Sequence, residues 1–347
     1  MRILYIGDGN PFSTSFHRLS ALRRLGYTVD VRNPYEAFKT SLEHFIFGKI
    51  HYRTGFRFLQ NKVNSWLSEI LAGGENFDII WVDSGELFGK KCLQNLKTVG
   101  IPVILYNVDD PTGKRDGNRF KSLLEALPLY DLVVVVRQES ERECIKLGAA
   151  RVLWVYRSYD EEAHRPYRNV EEIPAQFRSD VAFIGTWIRY EKRDEFLLKL
   201  IELGVPVSIW GTRWQNSPNW HKLKPHHRGD GLGGRDYVAA IQGAKVCIGM
   251  LSKGNRDLHT QRSLEVPFAG GLFCAERTSE HEEMYREGVE AVFWSDAVEC
   301  ARVCKELLAN DSLRENIRLA GMERVRSLKV GNEDACRTIL ETVFQTT

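Results

Sequence analysis

The sequence predicts an α/β protein built as two similar Rossmann-like domains, each around a parallel sheet, with their strand ends facing one another across a cleft. Three observations carry that expectation. A chain of 347 residues is long for one hydrophobic core and comfortable for two. Short β-rich runs alternate with helical patterns, as parallel strands joined by crossover helices require. The alternation breaks once, in a polar stretch around 157–178 that carries Pro166 and Pro174, and then resumes.

The strands expected before the break are 2–6, 28–31, 78–82, 102–106, 132–136 and 151–155. Between the first two, Phe16, Leu19, Leu22 and Leu25 share one helical face, and Gly26 is a suitable stop. After the break the expected strands are 180–184, 206–210, 244–249, 271–275 and 290–294. Helices are expected to begin near Tyr190, Gly234, Gln261, Ser279, Asp296 and Ser312, with Ser279 and Glu282 forming a capping box. In the last helix, Ala335, Ile339 and Val343 lie one turn apart. The expected organisation is an N-terminal domain over 1–165, a linker over 166–179, a C-terminal domain over 180–330 and a closing helix over 331–347. That helix is placed as packing back on the N-terminal domain.

Composition narrows the function. Apolar residues at 43% and charged residues at 27% describe an ordinary globular protein, and a formal net charge of +2 is too weak to argue for nucleic acid. No apolar run approaches the roughly 20 residues that span a bilayer, and the opening MRILYIGDGN is too short an apolar run for a secretory signal. Seven cysteines without a CxxC pair read as reduced, buried thiols, and the expected location is cytoplasmic. No zinc-like spacing follows Cys300 and Cys304, so no metal site is expected.

The segment 257–281, DLHTQRSLEVPFAGGLFCAERTSEH, resembles the C-terminal nucleotide-binding region of GT-B glycosyltransferases, and within them the CgeB-like, spore-maturation-type group. NVDDP (107–111), YDLVVVV (130–136), VAFIGTW (181–187), SIWGTRW (208–214) and LLAND (307–311) fit the same group in order. The resemblance implies a GT-B glycosyltransferase whose C-terminal domain binds a nucleotide-diphosphate sugar, with UDP favoured. The N-terminal domain would bind an acceptor that is a saccharide, lipid-linked, protein or small molecule. It also implies no separate cofactor and no catalytic metal, the leaving diphosphate being met by a helix N-terminus and basic side chains.

That chemistry selects residues. The helix expected to begin near Gln261 offers backbone N–H groups and carries Arg262 in its first turn. A charge-assisted bond from Arg262 to phosphate would be worth about 1.5–3 kcal/mol. The alternative is an ion pair between Arg262 and Glu265 on the helix face. Glu265 matches the ribose-binding carboxylate of the resembled family. Asp257, eight residues earlier, stands where related retaining enzymes have a glutamate facing the sugar, so retention and inversion both stay open. His259 and Thr260 flank the helix start and are candidates for phosphate or sugar contact. In the loop 185–193, Gly185 permits close backbone approach, and Arg189, ahead of Lys192 and Arg193, is expected to reach the diphosphate. Gly211, with Trp214 and the glycine-rich run 226–234, is placed near the base.

In the N-terminal domain the loops 7–14, 83–86 and 109–111 follow strands. The first matches a dinucleotide fingerprint only in part, with Asp30 as its would-be ribose acid, so NAD is a distant alternative. Asp109 or Asp110 could serve as the general base of an inverting transfer, or form an Asx-type turn before Pro111. The stretch 38–62 mixes aromatic residues with Lys39, Lys49, Arg53, Arg57 and Lys62. It suits contact with an anionic lipid-linked acceptor or a membrane face, or more simply a helix packed on the sheet with its basic side in water. Other functional readings are a sugar-nucleotide epimerase or hydrolase on the same fold, and a non-catalytic binding protein.

Overall fold

The computed structural model describes residues 1–345 and divides into two compact units. The first holds Met1–Tyr156, Gly254–Arg256 and the chain from Asn332 on; the second holds Arg157–Lys253 and Asp257–Gly331. The second unit therefore takes in 157–178, including most of the stretch expected as a linker. Tyr159 stacks on Phe268 at 3.9 Å, and Tyr167 N–H donates to Gln242 Oε1 at 2.7 Å, pinning that segment in place.

The first unit is a six-stranded parallel sheet of β1 (Arg2–Ile6), β2 (Thr28–Arg32), β3 (Ile79–Asp83), β4 (Val103–Asn107), β5 (Leu132–Val135) and β6 (Val152–Trp154), in the order β2-β1-β3-β4-β5-β6. Strands β3, β4 and β5 are buried throughout, which is why their sequences are continuous Val/Ile/Leu runs without alternation. On one face, helix Asn332–Phe344 lies against helix Thr14–Arg24 and adds Cys336, Ile339, Leu340 and Val343 to the core around Ile3, Tyr5 and Trp81. Fully burying a side chain such as Ile339 contributes about 1.5–3 kcal/mol.

The second unit repeats the plan with β7 (Ser179–Ile184), β8 (Val207–Trp210), β9 (His227–Gly229), β10 (Ala244–Gly249), β11 (Phe273–Glu276) and β12 (Val292–Trp294), ordered β12-β11-β10-β7-β8-β9. The chain leaves β7 toward β8 and β9, then returns to the other side of β7 with β10. The carboxyl ends of β7 and β10 thus flank the topological switch point, where open α/β sheets bind ligands.

The structure corrects four local expectations. Residues 227–229, in the glycine-rich run placed near the base with no strand expected there, form the edge strand β9. The helix expected from Tyr190 begins at Arg193, because Tyr190 (φ 71°) and Lys192 (φ 54°) take the left-handed conformation, which a helix cannot continue through. Thr278 rather than Ser279 caps helix Ser279–Met284, accepting from His281 N. Residues 39–53 form two short helices with several apolar side chains in solvent, not a helix lying on the sheet.

Candidate functional site

At the switch point of the second unit, the loops after β7 and β10 are tied together. Arg193, only 7% exposed, donates to Thr186 O (2.9 Å) and Leu251 O (3.1 Å). Glu191 accepts from Ser252 Oγ (3.1 Å) and Lys253 N (3.0 Å). Of the three cations in this loop, Arg193 is the one turned inward. Arg189 is exposed over the ring of Tyr190, and with Trp187, Lys192, Asp194 and Asn216 it lines a cavity of about 710 Å³.

The loop after β8 packs on the same place. Gly211 adopts φ 146°, and a Cβ there would lie 2.0 Å from Gly185 O. Gly185 N–H donates to Trp210 O (2.8 Å) and its carbonyl accepts from the buried indole of Trp214 (2.9 Å). Gly211 is thus required by loop-on-loop approach, a Cβ on Gly185 would instead meet the Phe183 ring at 2.9 Å, and Trp214 is a strap beneath them.

Helix Arg262–Phe268 follows the β10 loop. Among the described residues no acceptor takes the amide N–H groups of Gln261 and Arg262. Arg262 makes no ion pair with Glu265, and its Nε is buried without a partner. Glu265 is 6% exposed and instead accepts from Tyr237 Oη at 2.6 Å. Burial and the neighbouring Glu265 charge raise the Tyr237 phenol well above its ordinary value, so it stays a donor. His164 Nδ1 accepts from Asp160 N (2.9 Å), which leaves the ring hydrogen on Nε2, 3.6 Å from Glu265 Oε1. Pro267 sits inside this helix and cannot donate to Ser263 O; the Tyr285 hydroxyl takes that carbonyl at 2.7 Å.

The remaining candidates lie just before the helix. Asp257 is buried and ion-paired with Arg157 at 3.3 Å. His259 Nε2 accepts from Arg157 N at 2.9 Å and its Nδ1 donates to Glu280. Burial lowers the His259 pKa, which keeps the imidazole neutral in that arrangement. Thr260 is half-buried, its N–H held by Ser263 Oγ at 2.9 Å. The fold thus brings Asp257, His259, Thr260, Arg262 and Glu265 into one segment, and Gly185 and Gly211 into one contact.

In the first unit the two acids after β4 differ. Asp110 is 3% exposed and bound by Arg256 through Nη2 (2.6 Å) and Nε (2.7 Å), while Arg256 also donates to both oxygens of Glu143. Asp109 keeps a side chain 30% exposed beside Arg119 at 3.3 Å. Arg119 also holds Glu86, whose carboxyl burial pushes up, at 3.1 Å. Asp83 is consumed by a buried pair with Arg18 (2.7 and 2.8 Å) and by Tyr5 Oη. Asp30, the acid of the partial dinucleotide pattern, accepts from Arg2 Nε at 2.7 Å.

Sequence reasoning missed Tyr237, His164, Arg157 and Arg256, each far along the chain from the acid it meets. It also missed Cys274, a strand residue whose sulfur lies within 4.8 Å of those of Cys300 and Cys304. Those three buried thiols are the set among the described residues that could hold a metal ion.

The family model described as Glycosyl transferase-like matches residues 191–333. No curated protein matches the chain. Among solved structures, sucrose-phosphate synthase from Thermosynechococcus elongatus superposes with a TM-score of 0.69 at 12% identity, covering 99% of each chain. HepE of Anabaena in complex with UDP gives 0.68 at 14% identity, covering 99% of this chain and 100% of that one. The trehalose 6-phosphate synthase of Burkholderia multivorans gives 0.65 at 9% identity over 99% and 98%. The fold is that of the GT-B glycosyltransferases. The chain has two Rossmann-like units, and most of the stretch similar to the glycosyl transferase-like model lies in the second.

Proposed function

We propose that this chain is a glycosyltransferase that moves a sugar from a nucleotide-diphosphate donor, UDP favoured, to an acceptor. The observation that carries the reading is the pairing on helix Arg262–Phe268 of a buried carboxylate, Glu265, with an arginine whose buried Nε has no hydrogen-bond partner among the described residues. Glu265, already oriented by Tyr237 and His164, accepts from the ribose hydroxyls. Arg262 and the amides of Gln261 and Arg262 meet the diphosphate, with Arg189 as a second cation from the β7 loop. The backbone around Gly185 and Gly211 receives the base. These cations and amides supply the positive charge, and no divalent ion takes part. Asp257, held by Arg157, acts as a positioning residue for the segment carrying His259 and Thr260. On the acceptor side Asp109 is the carboxylate available to take a hydroxyl proton, since Asp110 is committed to Arg256.

UDP is favoured because HepE, which shares the fold, has been solved with UDP and with UDP-glucose. A thermal-shift panel of UDP, GDP, dTDP, ADP and NAD tests the reading. UDP is expected to raise the melting temperature by linkage. Stabilisation by NAD alone would overturn it.

A further inference from the structure

Residues 38–62 form a built surface feature, rooted in the core by Phe38, Phe56 and Leu59 and tied to Asp116 by the Tyr52 hydroxyl at 2.8 Å. Helix Lys39–Glu43 and helix Phe47–Arg53 meet so closely that a Cβ on Gly48 would lie 2.1 Å from Leu42 O. The turn between them is held by Gly48 N–H donating to His44 O (2.8 Å). His44 Nδ1 accepts from both Ile46 N and Phe47 N, each at 3.3 Å. This fixed tip displays Phe45, Ile46 and Phe47 with 77%, 56% and 55% of their surface in water, and Ile50 and Phe58 stand exposed nearby. Contiguous exposed apolar surface of this kind marks an interaction site.

Charge identifies the occupant. Lys39, Lys49, Arg53, Arg57 and Lys62 are all exposed; Glu43 is the one acid in the sequence between 38 and 62, and Lys39 lies 3.7 Å from Glu36 just before it. Lys49 Nζ lies 3.9 Å from the ring centre of Phe45, and the Arg57 guanidinium 5.2 Å from that of Phe58. Cations lodged against aromatic rings suit the boundary between lipid headgroups and acyl chains, where long basic side chains keep their charge in water while their stems lie on apolar surface. A second copy of the chain would bring the same positive charge to the contact.

We propose that this tip docks the protein on an anionic lipid surface, Phe45, Ile46 and Phe47 entering the interface and the five cations meeting the headgroups. The contact is peripheral: among the described residues no helix is long and apolar enough to cross a membrane. The proposal is independent of the donor site.

Co-sedimentation of the full chain with vesicles tests it, comparing phosphatidylcholine alone with phosphatidylcholine mixed with phosphatidylglycerol. Binding to the mixed vesicles is expected, weakened by salt as surface charge is screened. The double substitution Phe45→Ser with Phe47→Ser, and separately Lys49→Glu with Arg53→Glu, should each lower vesicle partition by about tenfold or more. Both should leave UDP affinity and melting temperature unchanged, because the side chains are exposed. No binding to the mixed vesicles, or equal binding by both double variants and the parent, overturns the proposal. So does a concentration-dependent dimer in sedimentation velocity that the Phe substitutions abolish, which would assign the surface to self-association.

Discussion

At Ser263, three residues settle one another in series. Thr260 N–H donates to Ser263 Oγ (2.9 Å), Ser263 pairs with His281 Nε2 (2.8 Å), and His281 Nδ1 reaches Glu276 O (2.7 Å). The carbonyl can only accept, so Nδ1 carries the hydrogen and Nε2 accepts from the serine. The chain fixes the start of the helix bearing Arg262 and Glu265 against the strand end beside it, and it works only while His281 is neutral. Burial pushes the His281 pKa from 6.5 down to about 4. As pH falls, the unfolded chain therefore binds this proton before the folded one does. The stabilisation is complete above about pH 6.5 and is lost as pH drops toward about 4, about 3 kcal/mol over that window for a group 1% exposed. Buried His259, also lowered, acts in the same direction. Urea unfolding at pH 7 and pH 5 should show the loss, and His281→Gln should flatten the dependence. Arg262 was legible as a candidate from the expected helix start, and Glu265 from the resemblance of its segment to the GT-B nucleotide-binding region. Tyr237, 28 residues before Glu265, was not, because neither residue type nor spacing signals a contact made by tertiary packing.

At the scale of elements, most strands were legible because continuous apolar runs mark buried parallel strands. β9 was not: His227–Gly229 is a short polar edge strand whose glycine-rich sequence reads as loop. The helix start expected at Tyr190 failed for a backbone reason, two non-glycine residues at positive φ, which sequence does not announce. The loops after β7 and β8 make the sharpest prediction of this scale. Gly211→Ala would need a Cβ 2.0 Å from a backbone carbonyl that cannot yield cheaply. A destabilisation of about 2 kcal/mol or more is expected in urea unfolding, with weaker UDP binding alongside. An unchanged midpoint and unchanged affinity would show that the two loops part easily.

In the whole molecule, two parallel-sheet units were readable from the alternation of patterns and its single interruption. Their membership was not. Residues 157–178 look like a connector because they are polar and aperiodic, yet Ser158, Asp160 and His164 are buried in the second unit through hydrogen bonds that no periodicity encodes. Arg256, a loop residue between two stretches of the second unit, belongs to the first by its bond to Asp110. The proposed donor site, by contrast, follows from topology, since the order of β10, β7 and β8 sets the switch point, and helix Arg262–Phe268 follows the β10 loop. Calorimetric titration of UDP into the chain in the presence of a chelator tests that placement most directly. UDP is expected to bind without a divalent ion, and Arg262→Ala and Glu265→Gln are each expected to weaken it by about tenfold or more, roughly 1.4 kcal/mol apiece. Affinity that vanishes with the chelator, or survives Arg262→Ala intact, would contradict it.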